Sequence, residues 1–402
     1  MMDNKITKIG HTSQNTDAIV LLLCGILVFS PLSSFVTMGI LHFPLALPEL
    51  LFIPFFFYLR KIFDFSIDFR KLVLFLMIIF TLIAISLIVG KFRISSVLST
   101  SRGYIYMAVV FSGFHNKKIS DIHPILMIAF GSMIGWLIMS LLSFRTLVSS
   151  LVNEESRVAY GNMIALCIAV SIAIIYSKKK FLPYILLVGL AISLTSGLRR
   201  QIAIFLLSFF LSKFISMKLS LMKTIRSLCI IAFLIAILSP FYEDIKSSIN
   251  DISPFLYYRI FEKSERLVSG ELTEGDVERM DNFNYFIDNL GTYIIPQGFV
   301  SKRTLADEGT GIYMDSPYIE LFYTFSIPGC LIFILIFIKS LHFHLKNYYL
   351  NNIRESGICI VSGIIIVILL LIEGSFLNFV FVAPFTGYIL SRIFSRVNLI
   401  AG

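Results

Sequence analysis

Runs of about 17 to 25 apolar residues recur along this chain, each the length needed to cross a hydrocarbon layer ~30 Å thick. Such a run must be helical there, because lipid offers no hydrogen-bond partner to an open backbone. The composition agrees. Of 402 residues, 57% are hydrophobic and only 15% charged, too few charges to cover the surface of a soluble domain of this size. The sequence therefore predicts an all-α, polytopic integral membrane protein with about 12 transmembrane helices. They are expected at 18–38, 46–59, 72–90, 97–114, 123–142, 159–177, 181–197, 200–217, 225–241, 316–338, 356–374 and 377–393. The first run, starting near Asp17, is long enough to be kept as a span rather than removed as a leader.

Charge sets the expected orientation. With the N-terminus in the cytoplasm, cytoplasmic segments and adjoining span ends hold 20 Lys and Arg, against 7 in the short external loops. This bias predicts both termini in the cytoplasm and residues 242–315 outside. The chain then divides into an N-terminal bundle (1–241), a long external loop with short helices (242–315) and C-terminal spans (316–402). Although the formal charge is +9, the basic residues cluster between apolar runs rather than in a binding stripe, so no nucleic-acid partner is expected. The five cysteines all fall in apolar runs, and no His or carboxylate cluster has metal-ligand spacing; neither a disulfide framework nor a metal centre is implied. No phosphate-binding Gly-rich loop or nucleophile elbow is present, and no cofactor is expected.

The long loop carries local helix signals. Ser253-Pro254 reads as an N-cap followed by Pro at the first helical position. A second helix is expected from Asp276, with Met280, Phe283, Ile287 and Leu290 on one face and Gly291 as its C-terminal cap. Three groups of external charges call for explanation, since burying one in a bilayer costs ~3 kcal/mol or more. Arg199 and Arg200 follow Ser196-Gly197-Leu198 at the start of a span, a poor place for cations unless an anion binds there. Free N–H groups and two guanidinium forks suit a diphosphate; snorkelling arginines at a tight turn are the plainer account. In the loop, Arg259 can pair with Glu262 or hold an anion, and Arg279 is expected in the first turn of the second loop helix. Asp315 precedes Ser316-Pro317, an N-cap and first-turn pair, where it either stabilises the helix dipole or acts as a general base. Glu320, one turn further in, calls for a partner such as Arg102. Tyr257, Tyr258, Tyr285, Tyr293 and Tyr313 are candidates for stacking on sugar rings or for anchoring at the interface.

This layout resembles the O-antigen polymerase (Wzy) family and the related O-antigen ligases, membrane glycosyltransferases of the GT-C class. The resemblance rests on Thr195-Ser196-Gly197-Leu198-Arg199-Arg200, on Glu278-Arg279 through Pro296 and Gly298, and on Asp315-Ser316-Pro317-Tyr318 through Ile327-Pro328-Gly329, in that order around one large external loop. It implies a metal-independent enzyme of the bacterial inner membrane whose partners are the bilayer and an undecaprenyl-diphosphate-linked oligosaccharide, with a chain-length regulator and a flippase as further partners. It maps the arginines that hold the diphosphate onto Arg199, Arg200 and Arg279. Together with the reading of the other external charges, Asp315 and Arg279 are the expected catalytic residues, Arg199, Arg200, Arg102 and Arg259 the expected diphosphate ligands, and Glu320 a supporting residue. Ligases carry a His near the re-entry helix; Asp315 stands there instead, which favours polymerase. A ligase acting on a lipid A core, and a flippase or transporter, are the alternatives.

Overall fold

The computed structural model describes residues 17–34, 67–115, 122–149, 161–195, 199–217, 239–252, 274–299, 317–372 and 381–395, together with single positions around 58 and 257–269. The described residues form helices and turns, with no strand among them. In chain order the helices longer than one turn are α1 (Asp17–Leu27), α2 (Phe69–Ile88), α3 (Ile94–Phe114), α4 (His123–Ser149), α5 (Met163–Ile175), α6 (Leu182–Thr195) and α7 (Arg199–Ser216). They are followed by α8 (Tyr242–Ile252), α9 (Glu274–Asp288), α10 (Pro317–Asn351), α11 (Arg354–Ile372) and α12 (Ala383–Ile393).

Four stretches, Phe69–Ile88, His123–Leu142, Tyr318–Asn351 and Arg354–Leu371, are long and apolar enough to cross a membrane, and α1, α5, α6 and α7 are shorter apolar helices. Exposure adds to this. Only 17% of the most apolar stretch of α2 and 22% of that of α10 is buried. Side chains such as Met77 and Phe80 on α2 and Leu331, Leu335 and Ile338 on α10 point outward, large exposed apolar groups of the kind that suit a lipid or partner surface. Ten of the expected spans meet a described helix. The stretches 46–59 and 225–241 fall almost wholly outside the described residues.

At the centre stands α5, buried on every side, as expected of a helix that is hydrophobic all round. Asn162 caps it. Its Oδ1 accepts from Ala165 N–H (2.9 Å) while Nδ2 donates to the carbonyls of Phe381 (2.9 Å) and Phe29 (3.4 Å), tying three segments at one point. Around α5 pack α4, α6, α7 and α11; α12 lies against α3, and α2 and α10 flank α3 and α11 respectively. The two helices α12 and α3 come close at Gly387, where a Cβ would sit 2.6 Å from the Met107 carbonyl oxygen. Small residues of this kind let apolar helices touch backbone to backbone.

The bundle has two distinct ends. At one, Arg392 of α12 pairs with Glu355 of α11 and donates to the Phe114 carbonyl at the end of α3 (3.0 Å). His344 bridges Ser356 Oγ (3.1 Å) and the Ile393 carbonyl (3.0 Å) beside them. Arg392 is 3% exposed. This buried pair escapes sequence reading, in which Arg392 is only a topology marker and His344 uninformative. Removing one partner strands a charge, so Arg392→Ala should lose about 3–5 kcal/mol of stability. Replacing both Arg392 and Glu355 with Met should recover most of it. Thermal unfolding of the detergent-solubilised protein reads both; an unchanged midpoint for Arg392→Ala would remove the pair from the account.

Candidate functional site

The opposite end is built around the break in α10. The short arm (317–325) starts at Pro317, as the Ser316-Pro317 signal predicts. It ends where Pro328 cannot donate an N–H and its ring would strike the carbonyl four residues back. Ser326 takes φ +66°, ψ 161°, a conformation costly for a non-glycine residue. Its Oγ accepts from Gly329 N–H (3.3 Å) and so caps the long arm (327–351). The expected span 316–338 is therefore two helices. The break frees carbonyls on the short arm, and two find partners: Tyr323 O accepts from Gln297 N–H (2.8 Å) and Leu321 O from the Cys330 thiol (3.4 Å).

Gln297 belongs to the exit of the long loop, so the loop itself closes this site. Helix α9 continues into a 3-10 turn, Leu290–Ile294, and then the extended stretch 295–299. Phe286 stacks on Phe322 (centroids 5.4 Å apart), and Tyr293 meets Tyr323 edge-on (4.9 Å). Phe299 N–H donates to Ser86 Oγ at the end of α2 (2.6 Å). Gly298 alone among the described glycines has a positive φ, +91°. Further back in the loop, Glu265 accepts from Lys246 Nζ (2.7 Å) and holds that ammonium's pKa above its usual value.

Several expectations for the loop are corrected. Helix α9 begins at Glu274, two residues early, which moves Arg279 from the first turn to the second. Gly291 does not adopt the left-handed cap conformation; it lies inside the 3-10 turn. The stripe Phe283, Ile287 and Leu290 is 40–48% exposed, because Phe286 is the α9 residue that docks. Tyr293, only 1% exposed, is core rather than a sugar platform, whereas Tyr285 is exposed.

Within the enclosure Glu320 is 4% and Thr324 0% exposed, one turn apart on the same face of the short arm. Tyr104 of α3 lies within electrostatic range of the Glu320 carboxylate, its ring against Phe299 (5.0 Å) and Phe325 (5.9 Å). The hydroxyls of Tyr104 and Thr324 have no hydrogen-bond partner. Arg102 leaves α3 about 200° round the helix from Tyr104, half-buried, and donates to Ser99 Oγ (3.3 Å).

Arg199 and Arg200 are the first two residues of α7, a helix N-terminus as the sequence predicts. Directly behind them Gln201 is 1% exposed, and neither its amide nitrogen nor its amide oxygen has a partner. Trp136 Nε1 and Ser140 Oγ on α4 are also buried and unpartnered. Orphaned polar groups are rare and costly, and each asks for a ligand or a role. Among the residues carrying them, Ser140, Gln201 and Thr324 lie in the loop-side parts of their helices, and Tyr104 and Trp136 near the middle of theirs. Tyr104 and Ile319, the neighbour of Glu320, belong to the aromatic cluster under the loop, whereas Ile204 and Phe205, on the helix of Gln201, belong to the larger core. The two groups share an end of the bundle but not a packing cluster. Gln201 carries a signal the sequence reading passed over: a primary amide just inside an apolar run, next to two arginines. Asp315, Arg259, Tyr258 and Tyr313 lie outside the described residues. Among the described residues no three His, Cys, Asp or Glu side chains are grouped to hold a metal.

Fold and site define an all-helical protein whose long apolar helices suit a membrane, with a polar enclosure where its loop meets the bundle. No family model, no curated protein and no solved structure matches the chain.

Proposed function

We propose that the chain is a multi-pass glycosyltransferase of a bacterial inner membrane that polymerises undecaprenyl-diphosphate-linked oligosaccharide repeats on the periplasmic side. It crosses the membrane about twelve times and keeps both termini in the cytoplasm. The clustering of Lys178–Lys180, Lys213, Arg354 and Arg392 at the end away from the loop supports that orientation. The observation that carries the reading is Gln201: a buried amide with neither atom satisfied, behind two arginines at a helix N-terminus, suits a ligand that both accepts and donates hydrogen bonds. A glycosyl diphosphate is such a ligand.

In the proposed step the acceptor hydroxyl oxygen of a new lipid-linked unit attacks the anomeric carbon of the growing chain. The bond from that carbon to the diphosphate oxygen breaks, and undecaprenyl diphosphate leaves with the electron pair. Arg199, Arg200 and Arg279, with Arg102 and Arg259 along the diphosphate path, stabilise the charge that develops on it. Asp315 takes the proton of the acceptor hydroxyl, and Glu320 supports it from one turn inside.

Purified protein in vesicles, given synthetic lipid-linked repeats and no nucleotide, should build a ladder of repeats on the carrier. A lipid A core added as acceptor should receive no sugar. Transfer to the core without a ladder would replace this reading with a ligase, and movement of lipid-linked units across the vesicle with neither reaction would make the chain a transporter.

A further inference from the structure

A second site lies at the end of the bundle away from the loop. There a cavity of about 720 Å³ opens between the turn after α5, the last turn of α7 and the junction of α10 with α11. Three cationic side chains from these three places line it, Lys179, Lys213 and Arg354, and among the described residues no carboxylate does. The nearest acid in sequence, Glu355, is already held by Arg392. Arg354 also opens α11, so the positive end of a 19-residue helix adds to the field. Its guanidinium lies 6.0 Å from the centre of the Tyr176 ring, which fixes its direction. The turn that delivers Lys179 is itself closely specified. Lys178 N–H bonds back to Ala173 O (2.9 Å) and Ser177 N–H to Ile174 O (3.1 Å), closing a helix end in which Ser177 takes φ +52° where glycine is usual.

Ser177, Ser216, Asn352 and Tyr348 add neutral polar groups near the cations, and Ile174, Leu182, Leu186 and Phe209 give the wall an apolar side. Leu182 and Leu186 sit on one face of α6, and Leu190, one turn beyond Leu186 on that face, is 50% exposed. An apolar body lying in the cavity can therefore run out along α6 towards Leu190. Its volume is of the size that holds a drug-sized ligand, far more than a phosphate ion fills. A ligand with an anionic head and an apolar body satisfies both halves.

We propose that this cavity binds the phosphate of an anionic glycerophospholipid from the leaflet away from the loop, with its acyl chains along α6. The site is independent of the polymerase reading and would stand if that reading fell. The test uses the full chain in a zwitterionic detergent, titrated with a fluorescent phosphatidylglycerol, with phosphatidylcholine and inorganic phosphate as competitors. Saturable binding is expected, with phosphatidylcholine and millimolar phosphate failing to displace the probe. Combined Lys179→Ala, Lys213→Ala and Arg354→Ala should weaken binding about 100-fold, at roughly one cation's contribution each. All three side chains are exposed, so the variant should remain folded; Lys179→Arg with Lys213→Arg should bind as the parent does. Equal binding by the parent and the triple variant would overturn the site. Displacement by phosphate at concentrations comparable to the lipid would overturn the lipid as its ligand.

Discussion

Alanine at both Arg199 and Arg200 should cut polymer formation about 100- to 1000-fold, the loss that follows removal of a preorganised donor to a developing oxyanion. Carrier-linked single repeats should then accumulate. The informative companion is Gln201→Met. Methionine nearly matches glutamine in length and volume, and it carries no group that must be satisfied. Burying an amide without partners costs about 1–3 kcal/mol, so the substitution should raise the unfolding temperature while lowering polymer yield. A gain in stability coupled to a loss of function marks a residue held for its ligand. A purely structural amide would behave differently, lowering stability and activity together. If Gln201→Met proved less stable than the parent, the amide would have partners in the folded protein, and the anion site at the start of α7 would lose its main support.

How far the sequence reaches can be read residue by residue. Helix positions are legible because a long apolar run away from water must satisfy its backbone internally, so α2, α3, α4, α7 and α11 begin within about three residues of the expected starts. The start of α10 at Pro317 is legible for a local reason: Ser-Pro is a helix-start signal whatever surrounds it. The break at Ser326 is half legible, since Pro328 announces a disruption but not that the chain will turn to φ +66° two residues earlier and take its replacement hydrogen bond from Gln297. What stays hidden depends on partners distant in sequence. The spacing of Met280, Phe283, Ile287 and Leu290 describes an apolar face correctly but cannot say which face docks; Phe286 wins because Phe322 and Tyr293 await it. Glu355 and Arg392 read as ordinary span-end charges until α11 and α12 bring them together. Tyr104 and Thr324 look like routine residues of apolar runs, and only packing shows that their hydroxyls have been left without partners.

Gly298→Ala should detach the exit of the loop from the bundle. An added Cβ would lie 2.2 Å from Ser86 Oγ, 2.6 Å from Ser86 N and 2.7 Å from Leu82 O. The serine hydroxyl could rotate away, but the other two atoms are helix backbone at the end of α2 and cannot yield. The φ of +91° adds strain of about 1–3 kcal/mol for any residue with a side chain. Relief requires residues 297–299 to lift. That breaks the hydrogen bonds from Phe299 N–H to Ser86 Oγ and from Gln297 N–H to Tyr323 O, each contributing about 1 kcal/mol. It also exposes Phe299, now 0% exposed, at roughly a further 2–3 kcal/mol. The total rivals the local stability of a docked loop, whereas the contacts among α5, α7 and α11 are untouched. Limited proteolysis of Gly298→Ala should therefore cut within 274–299 while the spans stay protected, and polymer formation should fall with the opening of the enclosure around Glu320 and Tyr104. Gly291→Ala is the control: nothing lies within 4 Å of its added Cβ, so loop protection and activity should match the parent. The same cleavage pattern for Gly298→Ala and the parent would mean that the loop is not held where Ser86 and Tyr323 hold it, and the enclosed site would have to be abandoned.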